Sequence, residues 1–160
     1  MSDKKNNDKL KIVFAASSGG HFEQLMMLKP LMEKYDSVLV TEKTQYGAGK
    51  LDIKTYYVKQ INRKELLFIP KFIANTWKSL RIIMKEKPTV MITTGVLATI
   101  PLALLMKLFK GKLIYIESFA KVTSKTLSGK LLYKYADQFY VQWEEMLKLY
   151  PNAIYKGGIY

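Results

Sequence analysis

LKIVFAASSGGHFEQLMMLKPLMEK, residues 10–34, joins a strand-like run to a helix-like run through Ser17-Ser18-Gly19-Gly20-His21. Beyond Lys11 the first run is apolar and rich in large side chains, as in a parallel strand covered on both faces. In the second run Leu25, Leu28, Leu31 and Met32 recur at spacings of three and four, the core-facing stripe of one helix. Strand, glycine turn and helix in that order open a βαβ unit.

The alternation continues along the chain. SVLVT at 37–41, TYYV at 55–58, TVMITT at 89–94, KLIYIES at 112–118 and DQFYVQW at 137–143 are further predicted strands, most of them separated by helical spacing. This is the pattern of an α/β domain with a mainly parallel sheet, expected over residues 10–160. Residues 1–9, MSDKKNNDK, are expected to form a flexible polar tail. They lack the apolar core of a secretory signal, which places the expected protein in the cytoplasm.

Composition narrows the chemistry. A chain of 160 residues, 49% hydrophobic and 24% charged, is globular and long enough for one core. Zero cysteines exclude disulfides and thiolate metal sites, and one histidine leaves structural zinc without ligands. No metal and no cofactor are expected.

The net charge of +13 favours a polyanionic partner, either nucleic acid, an anionic membrane surface or phosphorylated substrates. Basic residues crowd Arg63 to Lys87 and Lys107 to Lys134 among large apolar side chains, a mixture that suits a membrane face. A nucleic-acid-binding module remains an alternative on charge alone, without a helix-turn-helix or aromatic RNA-binding signature.

From Pro70 to Lys87 the spacing predicts an amphipathic helix with Ile73, Trp77, Leu80 and Met84 on its apolar stripe and Lys71, Lys78, Arg81 and Lys85 on a basic one. The preceding RKELLFIP puts Leu66, Leu67, Phe68 and Ile69 in one apolar run beside basic residues. Leu66, Leu67, Phe68, Ile69, Lys71, Trp77, Lys78 and Arg81 are therefore candidate membrane-facing residues, with a core contact at the helix entry as the other reading. VLATIPLALLMKLF at 96–109 is the most apolar segment, but its 14 residues fall short of the ~20 needed to span a bilayer.

Three strand ends could carry chemistry. Ser18, Gly19 and Gly20 form an anion-holding turn at a helix start. His21 follows as a candidate general base or, equally, a polar capping residue. Thr93-Thr94-Gly95 repeats the arrangement after another strand, and Glu117-Ser118 closes KLIYIES. In a parallel sheet all three lie at the carboxyl edge, where ligands bind in open α/β folds. Glu42, at the end of the second strand, stands where a ribose-binding acid would, which keeps a free-standing nucleotide-dependent enzyme open as an alternative.

SSGGHFEQL, ITTGVLATIPLAL, IYIESFAKVTSKTLSGKLLYKYADQFYVQW and YPNAIYKGGIY, in that order, resemble the accessory subunits of bacterial capsule and exopolysaccharide synthesis of the PssD/CpsF type. They are also similar to the membrane-anchoring subunit of the two-chain GlcNAc transferase of the dolichol pathway. A more distant similarity runs to the N-terminal half of the GT-B transferase that makes peptidoglycan lipid II.

The resemblance implies a Rossmann-like acceptor half of a GT-B enzyme, completed by a donor-binding glycosyltransferase subunit on another chain. The pair would move a hexose or N-acetylhexosamine from UDP to a polyprenyl-diphosphate-linked sugar acceptor. It assigns Ser18, Gly19, Gly20, Thr94 and Gly95 to the acceptor diphosphate and makes His21 and Glu117 the candidate catalytic residues. The chain would then sit peripherally on the inner face of the cell membrane, held by an anionic membrane surface and binding no nucleic acid.

Overall fold

A computed structural model describes residues 10–43, 52–62, 64–95 and 97–160. The tail at 1–9, Arg63 and the start of the apolar segment at Val96 lie outside the described residues. Seven strands form one sheet: β1 (Lys11–Ala16), β2 (Asp36–Glu42), β3 (Lys54–Val58), β4 (Val90–Gly95), β5 (Lys112–Ile116), β6 (Gln138–Val141) and β7 (Ile154–Tyr155). Every neighbouring pair is parallel, in the order β3-β2-β1-β4-β5-β6-β7.

Side chains alternate across the sheet because successive Cβ atoms of a strand point to opposite faces. From β1, Val13 and Ala15 enter one core with Ile82, Leu102, Met106 and Leu132, while Ile12, Phe14 and Ala16 enter the other with Leu25 and Met32. Two helices, α1 (Gly20–Met26) and α2 (Lys29–Lys34), supply the second core. Three others, α3 (Phe68–Glu86), α4 (Ile100–Leu108) and α5 (Leu127–Leu132), supply the first. Both faces are covered, as an all-parallel sheet requires.

The expected helix after β1 is two short ones. Pro30 at the start of α2 has no N–H to continue the α1 ladder, so the chain breaks at Met27–Leu28 and Leu31 turns partly outward. The two-residue β7 is too short to show as a run in YPNAIYKGGIY.

The two readings of α3 come apart in its burial. The helix buries Asn75, Ser79, Ile82, Ile83 and Glu86 and leaves Ile69, Ile73, Trp77 and Met84 exposed. Two of its buried polar side chains, Asn75 and Glu86, are fixed by other segments, whereas Ser79 Oγ has no hydrogen-bond partner among the described residues. Asn75 donates from Nδ2 to the Lys59 carbonyl at 2.8 Å and accepts the Lys59 amide at 2.9 Å. Glu86 pairs with Lys11 at 2.9 Å and Lys54 at 2.6 Å, and the Tyr56 hydroxyl donates to it. Burial alone would raise the Glu86 carboxyl, but hydrogen bonds from Lys54, Tyr56 and Lys11 outweigh it and lower its pKa to about 2.

Candidate functional site at the carboxyl edge

The strand order reverses between β1 and β4, so the loops leaving their carboxyl ends diverge and open a crevice. Ser17–Gly19 leaves β1 and delivers His21 to that crevice. Gly19 has φ +78°, a left-handed conformation that favours glycine, and it sharpens the turn into α1. Gly20 is exposed, with open space on its Cβ side.

His21 is locked across the crevice to the end of β4. Its Nδ1 lies 2.9 Å from the Thr94 carbonyl, and the Thr94 hydroxyl donates to the His21 carbonyl at 2.8 Å. A carbonyl only accepts, so Nδ1 carries a proton, and in the neutral ring the lone pair is on Nε2. Nε2 has no hydrogen-bond partner among the described residues, and His21 lines two depressions, one on either side. The neutral imidazole is thus held in one tautomer by backbone.

Thr94, expected as a diphosphate contact, supplies this support, and Gly95, expected beside it, turns its amide to Thr93. Both are buried, the Thr94 polar atoms engage His21, and the Gly95 amide donates to Thr93 Oγ1 at 3.0 Å. Ser18 is likewise engaged, because Glu42 Oε2 accepts its amide at 3.3 Å and its hydroxyl at 3.0 Å. Glu42 is itself buried beneath the turn, which removes it as a free ribose acid. Of the expected anion-holding turn, Gly19 and Gly20 remain open.

Glu117 is only 1% exposed, and its carboxylate accepts from every side. Oε1 takes the Ser118 amide at 2.9 Å and Thr126 Oγ1 at 2.8 Å, while Oε2 takes the Tyr150 hydroxyl at 2.8 Å. Burial, reinforced by this carboxylate, pushes the Tyr115 and Tyr150 hydroxyls far up, so both remain donors. The α5 turn rests directly on the group: a Cβ on Gly129 would meet Glu117 Oε2 at 2.1 Å. With its lone pairs occupied and solvent excluded, Glu117 builds the floor of the site, and the expectation of a catalytic base is corrected.

Two glutamines tie that floor to its surroundings. The Glu117 carbonyl accepts Gln24 Nε2 at 3.1 Å and Gln142 Nε2 at 2.8 Å. Gln24 Oε1 also accepts the Phe119 amide at 3.3 Å, and Gln142 Oε1 the Ile159 amide at 3.0 Å. Neither glutamine stood out in the sequence. Gln24 lies three residues beyond His21 on α1, which is the only local hint. Among the described residues no group of three His, Asp or Glu side chains gathers as a metal site.

The membrane-facing candidates divide. Leu66 is 102% exposed and Trp77 58%, with Leu67, Ile69 and Ile73 also in solvent. Ile69, Ile73 and Trp77 fall at spacings of four, on one stripe. Lys78 and Arg81 are exposed beside it, with the Arg81 guanidinium 5.4 Å from the Trp77 ring centroid. Phe68 packs on the core beside Phe72 and is withdrawn from that set. Lys71 is half-buried and paired with Glu65 at 2.7 Å. Among the described residues no helix is long and apolar enough to cross a membrane.

A parallel sheet in this order, with helices on both faces, defines a Rossmann-like α/β domain. MurG of Acinetobacter baumannii superposes with a TM-score of 0.68 at 14% identity, covering 84% of this chain and 42% of that one. UDP-GlcNAc 2-epimerase of Neisseria meningitidis gives 0.68 at 12% identity, over 93% and 47%. The chain thus spans less than half the length of these structures. The family model described as oligosaccharide biosynthesis protein Alg14 like matches residues 34–159, and the chain belongs to that family. The protein named UDP-N-acetylglucosamine transferase subunit ALG14 of Yarrowia lipolytica is 30% identical over 183 residues, covering 96% of this chain and 82% of its own. The human protein of the same name is 26% identical over 181 residues, covering 95% and 84%.

Proposed function

We propose that this chain is the acceptor-side subunit of a two-chain UDP-N-acetylglucosamine transferase, completed by a donor-binding glycosyltransferase partner. The observation that carries it is His21, fixed by Thr94 with Nε2 open at the β1/β4 crevice beside an exposed Gly19-Gly20 turn. The subunit names of the relatives support the division of labour and the donor sugar.

In the proposed reaction the acceptor hydroxyl attacks C1 of the UDP-sugar held by the partner. The new O–C1 bond forms as the C1–O bond to UDP breaks, and the hydroxyl proton passes to His21 Nε2. Gly19 and Gly20 let the acceptor diphosphate approach the backbone closely. Thr94 positions the imidazole, and Glu117 holds the loop and α5 around it.

The acceptor is a polyprenyl-diphosphate-linked sugar at an anionic membrane surface on the cytoplasmic side. The exposed stripe of Leu66, Leu67, Ile69, Ile73 and Trp77, flanked by Lys78 and Arg81, supports that placement. A setting in capsule or exopolysaccharide synthesis rests on the resemblance of the sequence blocks alone.

The test is transfer from UDP-N-acetylglucosamine to a polyprenyl-diphosphate-linked sugar. The chain alone is expected to give none, and addition of the donor-binding partner is expected to restore it. Full transfer by the isolated chain contradicts the two-chain reading.

A further inference from the structure

The two depressions beside His21 differ in their walls. The one on the α5 side, about 360 Å3, is lined by Gln60, Ile61 and Asn62 from the β3–α3 connection, with Leu97, Tyr115 and Thr126–Ser128 completing it. That size is in the range of small-ligand pockets, ~300–1,000 Å3. Among the described residues, no acid, lysine or arginine lines it. In a chain with 26 basic and 13 acidic residues, a described lining without such charges is a selective feature. A diphosphate is stabilised by cations and charge-assisted donors, which the described lining of this cup does not supply.

What it supplies is neutral. The side-chain amide of Gln60, Nδ2 of Asn62 and Oγ of Ser128 have no hydrogen-bond partner among the described residues. Amides and a hydroxyl both donate and accept, which matches the mixed demand of ring hydroxyls. Ile61, Leu97 and Leu127 add apolar surface for the C–H face of a ring.

The cup is also held in shape. Asn75 clamps Lys59 through both backbone groups, one residue before Gln60. The Asn62 amide donates to Glu65 Oε1 at 3.0 Å, and Glu65 is paired with Lys71 of α3. Across the cup Thr126 caps α5 through the Gly129 amide at 2.8 Å while donating to Glu117. Fixed walls lower the cost of ordering a ligand. Leu66 follows Asn62 by four residues, so the apolar stripe begins within ~15 Å of the cup.

We propose that this cup is the subsite for the neutral sugar ring of the acceptor, with Gln60, Asn62 and Ser128 deciding which ring is taken. The inference rests on the reading of the chain as an acceptor-side subunit. His21 closes the cup, so a hydroxyl of the seated ring meets Nε2, while the diphosphate stays outside on the Gly19-Gly20 side.

The direct test is saturation-transfer NMR on the full chain with glucose, galactose, N-acetylglucosamine and glucuronate, each at roughly 10 mM, a range that reveals weak affinities. At least one neutral pyranose is expected to give a signal and glucuronate none, and inorganic pyrophosphate is expected not to displace the sugar. Gln60→Ala with Asn62→Ala should weaken binding at least tenfold, and Ser128→Ala, checked by circular dichroism for folding, should weaken it as well. Absence of signal from every neutral sugar, displacement by pyrophosphate, or binding unchanged in all variants overturns the subsite.

A second measurement separates this failure from failure of the broader reading. In the two-chain complex, Asn62→Ala should raise KM for the lipid-linked acceptor about tenfold and leave KM for UDP-N-acetylglucosamine unchanged. An active complex with unaltered acceptor KM removes the subsite alone. A wild-type complex with no transfer at all removes the transferase reading.

Discussion

α3 and α4 pack side by side on the same face of the sheet and obey opposite rules. α4 buries Ile100, Leu102, Ala103 and Met106, and its apolar residues account for its place in the core. α3 turns Asn75, Ser79 and Glu86 inward and holds Ile69, Ile73, Trp77 and Met84 in solvent. The buried apolar side chains of α4 are therefore folding surface, whereas the stripe Ile69, Ile73 and Trp77 of α3 is in solvent. Two of the inward polar residues of α3 do structural work of their own: Asn75 orients the connection that lines the cup beside His21, and Glu86 gathers Lys11, Lys54 and Tyr56 at the far edge of the sheet.

Substitution should separate the two helices cleanly. Leu102→Ala in α4 is expected to cost about 3 kcal/mol in urea unfolding, the range for a fully buried leucine. Ile73→Asp with Trp77→Asp in α3 should cost under ~0.5 kcal/mol, as for exposed positions. That double variant should instead bind anionic phosphatidylserine-containing vesicles at least tenfold more weakly, and wild-type binding should fall with added salt. A large stability loss on α3 would return its stripe to the core.

A smaller effect, about 2 kcal/mol, is expected for Glu86→Gln near neutral pH, because the charged acceptor of three hydrogen bonds is lost. The sign of its pH dependence follows from a folded carboxyl lowered to about 2. The stabilisation is fully present above the unfolded glutamate value of about 4.3 and is lost as pH falls toward 2. Urea midpoints of wild type and variant should therefore converge between pH 5 and pH 2. A constant gap would show that the charge is not what Glu86 contributes.

Six of the strands were legible because β-branched and aromatic runs between turn residues suffice to mark a doubly covered strand. Convergence of His21, Thr94 and Glu117 at one edge was legible too, since a parallel sheet puts all its βα loops on one side. The roles were not. Whether Glu117 meets substrate depends on Thr126 and Tyr150 arriving from later in the chain, and whether Thr94 is free depends on His21. The burial of Asn75 and Glu86 on α3 was hidden for the same reason: periodicity finds two faces, but Lys59, Lys11 and Lys54 decide which polar side chains can be buried. Gln60 and Asn62 carry no motif and became visible only as walls of a cup.

The most direct test of the account is the rate of sugar transfer by the two-chain complex carrying His21→Ala, measured beside its affinity for the partner and for anionic vesicles. Loss of a positioned general base predicts a fall of about 10²-fold or more in kcat with both affinities unchanged. Transfer at the wild-type rate would contradict the assignment of His21 as the base at the β1/β4 crevice.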